Sequence, residues 1–356
     1  MSQVDLMKLV RENIKSLKAY HVENIECEIK LHANENPYQL PDEILSLLQD
    51  DLRNTPLNRY PDPDSRGLKN IISQRLGVAE EQCVIGNGSD ELIQLALQVF
   101  CDEGDAVAFP DPTFGMYAII AKGMGLKPFA FSLDSHWDFR ADDFLAEMEK
   151  QQPKIIFFSF PNNPTGNCFN QAEIQKVIEA SQAIVVADEA YYDFSKKSFV
   201  LEIARHNNLI IMRSLSKIGL AGLRVGYAVA DPIIIEQINK VRLPYNSNSL
   251  SQIFSEKVLR NFDPVQKQID KIIAERERLF QALSQIKTFE VYPSDSNFIL
   301  FRVQQDSGRV FQELMDNGIL VRDLSAHPRL QGCLRVTVGT PEENDQFLDK
   351  IKALAG

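Results

Sequence analysis

The sequence predicts an α/β protein: a large domain with a mainly parallel sheet and helices on both faces, plus a smaller α+β domain. Three observations predict it. Short apolar runs alternate with helical patterns through the middle of the chain, as expected of strands buried on both faces. The chain has 356 residues, more than one hydrophobic core comfortably serves. After about Asn248 the alternation gives way to a long charged helical pattern and more widely spaced apolar runs.

Taken in order, Val4, Met7, Val10, Ile14 and Leu17 recur at helical spacing. Residues 24–37 are irregular, and could cover a site or simply connect across the surface. Strands are expected at 83–85, 106–109, 155–159, 184–187, 210–213 and 225–229, with helical patterns at 91–100, 116–123, 142–151 and 171–181 between them. Ligands in such sheets sit beyond the carboxyl ends of the strands, where Asn163, Asp188 and Ser214 fall. Beyond the change in character come a helix at 265–284, a strand at 298–303, a helix near 310–317 and a strand at 334–338. Thr340, Pro341 and Glu343 then read as a hydroxyl cap, a first-turn proline and a glutamate that reaches back. The resulting division is 1–35 as a segment associated with the small domain, 36–247 as the large domain and 248–356 as the small C-terminal domain.

Bulk properties exclude several functions. With 44% apolar and 24% charged residues the chain is an ordinary globular protein. A formal charge of -11 argues against a sequence-independent hold on nucleic acid. Cys27, Cys83, Cys101, Cys168 and Cys333 are scattered and form no Cys-x-x-Cys pair, so reduced thiols of a cytoplasmic protein are the expectation. The five histidines are dispersed, and no metal site is expected. The first residues lack a secretory pattern, and no stretch approaches the roughly 20 apolar residues of a membrane span.

The chemistry concentrates in two neighbouring motifs. Asp188-Glu-Ala-Tyr191 puts a carboxylate at a strand end and a phenol just after it. Ser214-Leu-Ser-Lys217, followed by Gly222-Leu-Arg224, supplies two hydroxyls, a lysine and an arginine. These are the groups needed to hold pyridoxal 5'-phosphate. A lysine amine condenses with its aldehyde, an acid stabilises the protonated pyridine nitrogen, a phenol bonds the ring oxygen, and hydroxyls with arginine take the phosphate. Gly88 and Ser89 precede a helix and can offer N–H groups and a hydroxyl to an anion, or else form a plain turn with Ser89 or Asp90 as cap.

The combination resembles the fold-type I pyridoxal-phosphate aminotransferases, and among them the histidinol-phosphate group. The likeness runs from Tyr20 to Arg335 and includes Ala33-Asn-Glu-Asn-Pro37, Arg59-Tyr60-Pro61, Gly86-Asn-Gly-Ser-Asp-Glu91, Pro112-Thr-Phe-Gly-Met-Tyr117, Asn163-Pro-Thr-Gly166 and Leu334-Arg-Val-Thr-Val-Gly339. It implies that Lys217 is the catalytic base and covalent anchor, that Asn163 and Tyr191 bond the ring oxygen, and that Phe114 lies against the ring face. Many relatives carry tyrosine at the position of Phe114, and its hydroxyl is absent here. Tyr60 would reach the phosphate of a neighbouring subunit, implying a homodimer with shared sites. Arg335, Arg322, Asn163 and Tyr20 would bind substrate. The loop from Lys217 to Arg224 is one residue shorter than in some relatives. The activity implied is amine transfer between histidinol phosphate and 2-oxoglutarate. An aromatic amino-acid aminotransferase and a decarboxylase of phosphorylated amino acids stay open as alternatives.

Overall fold

The computed structural model describes residues 4–18 and 25–355. Its centre is a seven-stranded sheet formed by β1 (Cys83–Asn87), β2 (Ala106–Asp111), β3 (Lys127–Ser132), β4 (Ile155–Ser159), β5 (Ile184–Asp188), β6 (Leu209–Ser214) and β7 (Val225–Ala230), in the order β1-β7-β6-β5-β4-β2-β3. Strands β2 to β6 run parallel, and β7 is antiparallel to both its neighbours. Alternate residues feed the two faces, as the pleat requires. Val107, Ile155, Phe157, Val186, Ile210 and Met212 pack with helices Ser89–Phe100 and Pro232–Val241 on one face. Ile156, Phe158, Val185, Ala187 and Ile211 face the other core, which continues into the smaller lobe through Leu279, Phe298 and Phe301.

All six strands expected in the large domain are present, and β3 is an addition. It lies on the sheet edge with an interrupted burial pattern and carries Pro128, which an edge strand tolerates. Helices Asp42–Asn54, Arg66–Leu76, Pro232–Val241 and Ser249–Arg260 also go beyond the predicted elements.

The smaller lobe holds a four-stranded antiparallel sheet of Phe289–Val291, Phe298–Val303, Arg322–Asp323 and Cys333–Thr337, covered by helices Asp263–Ser284, Ser307–Asp316 and Pro341–Ala355. The last helix opens with the expected reciprocal cap: Glu343 N–H donates to Thr340 Oγ1 at 3.2 Å and Thr340 N–H to Glu343 Oε2 at 2.8 Å.

Contacts divide the chain differently from the sequence-based boundaries. Helix Ser249–Arg260 packs on Asp42–Asn54 and Arg66–Leu76, so it goes with the large lobe, and the smaller lobe's first helix is Asp263–Ser284. The N-terminal segment also splits. Its helical spacing yields only the 3-10 turn Leu6–Leu9 and the one-turn helix Glu12–Lys15, broken by extended residues Val10 and Arg11. That part docks on helix Met116–Met124 of the large lobe, with Asn13 Nδ2 donating to the carbonyls of Lys122 and Gly123. The later part joins the smaller lobe: Ile29–Lys30 pairs in parallel with Ile319–Leu320, and Leu31 and Asn34 bond Thr337. No helix among the described residues is long and apolar enough to cross a membrane.

Candidate active site

A cleft of about 480 Å³ opens at the carboxyl ends of β4, β5 and β6, closed on its far side by the smaller lobe. Its walls bring together Ser89, Phe114, Asn163, Asp188, Tyr191, Ser214, Ser216, Lys217, Arg224, Arg322 and Arg335 from points far apart in the chain. Gly88 sits directly behind this wall. Tyr20 lies outside the described residues. Tyr60 is the one described candidate that stays away: it is 81% exposed and stacks on Tyr245 with ring centroids 4.5 Å apart.

Asp188 ends β5 with the same parity as Val186, so its side chain emerges on the face that carries Tyr117. The Tyr117 hydroxyl donates to Asp188 Oδ2 at 2.7 Å, and the Ala190 N–H donates to Oδ1 at 3.2 Å. Tyr117 is itself fixed by stacking on Phe157, with ring centroids 4.7 Å apart. Burial raises the Asp188 pKa to about 6, although both hydrogen bonds oppose the shift. Among the described residues no cation pairs with Asp188 to offset that burial. A protonated ring nitrogen would.

One residue on, Glu189 points to the opposite face. It is also buried, but Arg213 pairs with it at 2.8 Å, the Phe199 N–H donates to it at 2.7 Å, and the Ser198 hydroxyl donates to both its oxygens. This acid is internally satisfied. The solvated strand end that an Asp-Glu sequence often marks is not what forms here.

The anion end of the cleft is built from the turn between β1 and helix Ser89–Phe100. Gly88 has φ +78°, and a Cβ there would come within 2.6 Å of Arg224 Nη2. Gly226 on β7 lets that turn approach, since a Cβ at this position would lie 2.6 Å from the Gly88 carbonyl carbon and the Ser89 nitrogen. Gly88 is the helix N-cap, so Ser89 and Asp90 occupy the first turn and neither is the cap that a plain turn suggested. Asp90 instead faces Arg224, with Oδ2 3.4 Å from Nη2. Ser214 Oγ–H donates to Ser216 Oγ at 2.9 Å, which places both hydroxyls on one wall. Free helix N–H groups, three hydroxyls and a guanidinium make a donor set that suits a phosphate dianion. The residues present fit pyridoxal 5'-phosphate: a phosphate cup at one end, an unpaired buried acid at the other, and Lys217 between them.

Lys217 projects from the 3-10 turn after β6. Its Nζ lies 5.7 Å from the Tyr191 ring centroid and 3.5 Å from the Ala33 carbonyl oxygen. The Tyr191 hydroxyl accepts from Asn34 Nδ2 at 2.9 Å. Asn163 Oδ1 accepts from Arg335 Nη1 at 2.5 Å, while Arg335 Nη2 donates to the His32 carbonyl at 2.8 Å. Phe114 lines the cleft and meets Tyr117 edge-on at 5.5 Å.

Arg335 is buried in its strand and lies directly across from Arg322 in the antiparallel pair Arg322–Asp323 with Cys333–Thr337. Like charges placed opposite each other in a sheet destabilise it. Both side chains reach the cleft, so a bound anion would relieve them.

Two contributors had no assigned role in the sequence reading. Tyr117 and Asn34 belong to motifs it singled out, yet their roles as holders of Asp188 and Tyr191 emerge only from the folded contacts. The only local hint was the closeness of the two rings in sequence; Phe114 precedes the helix and Tyr117 lies in its first turn, where the rings meet edge-on.

Comparison with known proteins agrees with this geometry. Residues 27–351 match the aminotransferase class I and II family. A curated histidinol-phosphate aminotransferase from Thermoanaerobacter sp. (strain X514) is 44% identical over 97% of this chain and 98% of its own. The Aquifex aeolicus enzyme of the same name is 39% identical over 97% of each chain. Among solved structures, histidinol-phosphate aminotransferase from Sinorhizobium meliloti in complex with pyridoxal-5'-phosphate superposes with a TM-score of 0.86, covering 97% of this chain and 98% of that one. At 20% identity this last likeness speaks to the fold alone.

Proposed function

The chain belongs to the class I and II aminotransferases, and from that premise we propose that it moves an amino group from histidinol phosphate to 2-oxoglutarate, giving imidazole-acetol phosphate and glutamate in histidine biosynthesis. The observation that carries the substrate choice is its near full-length likeness to curated relatives that bear this name. Arg322 and Arg335, side by side at the substrate end, suit both a phosphate and the carboxylates of glutamate.

When bound, pyridoxal 5'-phosphate supplies an aldehyde that takes up the amine and a ring that draws electrons from the substrate carbon. The protein does the rest. Ser89, Ser214, Ser216 and Arg224 hold the phosphate end, with the Gly88 turn behind them. Asp188, oriented by Tyr117, would present negative charge to the ring nitrogen, and Asn163 and Tyr191 would serve the ring oxygen. Phe114 shields one face from water. Lys217 Nζ would hold the cofactor and serve as the base that moves the proton at the substrate carbon. Arg322 and Arg335 set the distance between the anionic end and the reacting carbon.

The reading includes a cytoplasmic homodimer. Tyr60 is exposed and remote from its own subunit's cleft, which fits a hydroxyl offered to a second copy. Mixing Tyr60→Phe subunits with inactive Lys217→Ala subunits tests this: partial recovery of activity is expected, and none supports a purely local role.

The central experiment compares kcat/KM for histidinol phosphate, histidinol and phenylalanine. A clear preference for the phosphate ester is expected. Equal values would move the assignment to an aromatic aminotransferase, and carbon dioxide release without a new oxo acid would indicate decarboxylation.

A further inference from the structure

We propose that His32 determines specificity at this site: its imidazole becomes a third cationic contact to the phosphate of the amino substrate, taking a proton from solvent as that dianion arrives, and stays neutral opposite the single charge of a carboxylate. The inference rests on the phosphate-bearing substrate proposed above.

His32 lies in the bend between Ile29–Lys30 and Asn34, and its half-buried side chain lines the cleft with Arg322 and Arg335. The backbone here is firmly held. The His32 carbonyl accepts from Arg335, the Ala33 carbonyl from Lys217, and Asn34 bonds Tyr191, Thr337 and Asn297. The ring is therefore delivered to the substrate end by a fixed scaffold. Its Nδ1 is buried and has no hydrogen-bond partner among the described residues. A buried ring nitrogen left this way awaits a partner that the protein does not provide.

The charges around it define what that partner is. Arg322 and Arg335 face the ring from the small sheet, Lys30 from the strand before it, and Glu35 from the chain beyond it. Burial lowers its pKa first, Glu35 opposes this, and the three cations reinforce it. The imidazole thus stands neutral next to a strongly positive surface. A dianion between the arginines reverses that local field, and an opposite charge at contact distance favours the protonated ring. A carboxylate brings half the charge, most of it matched by one guanidinium fork.

Two measurements on the cofactor-loaded enzyme test this. Sulfate is a dianion with no proton to give near neutrality. Its binding, followed by calorimetry in two buffers of different ionisation enthalpy, should draw a proton onto the unaltered protein and none onto His32→Asn. In half-reactions, the ratio of kcat/KM for histidinol phosphate to that for glutamate should fall about tenfold in His32→Asn, the scale of one charge-assisted hydrogen bond. Equal proton uptake in both proteins, or an unchanged ratio, overturns the proposal. Should the asparagine variant fold poorly, His32→Gln carries the same test. If the unaltered enzyme does not favour histidinol phosphate over histidinol, the functional reading itself fails, and the sulfate result reports that separately.

Discussion

Asp188 and Glu189 are chemically similar, adjacent and both buried, yet they occupy opposite faces of one sheet and do opposite work. Glu189 has an arginine, a hydroxyl and a backbone N–H around it, and its charge is matched within the fold. Asp188 has one phenol and one N–H, and no cation among the described residues. Burial raises the pKa of both acids; Arg213 is the chief opposing influence on Glu189, whereas only hydrogen bonds oppose it at Asp188. The difference separates an acid that holds the protein together from one that waits for a ligand. Burial alone does not distinguish them. The completeness of the partner set does.

The largest effect expected from breaking the comparison falls on stability. Glu189→Gln or Arg213→Met leaves one buried charge unpaired, which costs about 3–5 kcal/mol. Chemical denaturation should show that loss, while the folded fraction keeps turnover. A variant that stays stable but is catalytically dead would place Glu189 in the chemistry and erase the contrast.

Asp188→Asn should do the reverse. Single-turnover amine transfer is expected to fall by about 10²–10³, the scale of losing one preorganised charge in an active site. Stability of the cofactor-free protein should rise. An acid whose folded pKa lies near 6 instead of 3.8 binds its proton more tightly when folded, so stability is lost as pH rises from about 4 through 6. Above that window the cost is on the order of 3 kcal/mol, and the asparagine variant escapes it. Without cofactor, the gap between the melting temperatures of the two proteins should therefore be wider at pH 8 than at pH 5. Parallel curves would mean that Asp188 has a counter-charge.

A smaller effect sharpens the picture. Tyr117→Phe removes the bond that favours ionised Asp188, so amine transfer should drop about tenfold and the acid limb of its pH profile should move upward. An unchanged profile would reduce Tyr117 to a packing residue.

Much of this was legible in the chain. The apolar alternation located six strands, and strand-end placement gathered Asn163, Asp188 and Ser214. Residue parity even separates Asp188 from Glu189, but no local pattern says which acid will find an arginine, because Arg213 arrives from the next strand. The edge strand β3 was hidden by Lys127, Pro128 and its poor burial. The N-terminal spacing suggested a longer helix than Val10 and Arg11 allow. Composition changes near 248, but the helix Ser249–Arg260 that follows packs on Asp42–Asn54 and Arg66–Leu76, a long-range contact that local composition does not carry.

The stretch from His32 to Asn34 has one more implication. Three consecutive residues serve Arg335, Lys217 and Tyr191 in turn, by carbonyl, carbonyl and side-chain amide. The backbone here bends at His32 and Ala33 and takes a left-handed φ of +55° at Asn34, so each of the three groups points its own way. The segment therefore has something like a reading frame. Exchanging a side chain alters one assignment, whereas inserting or deleting a single residue would turn all three away together, so this short run tolerates changes of letter far better than changes of length.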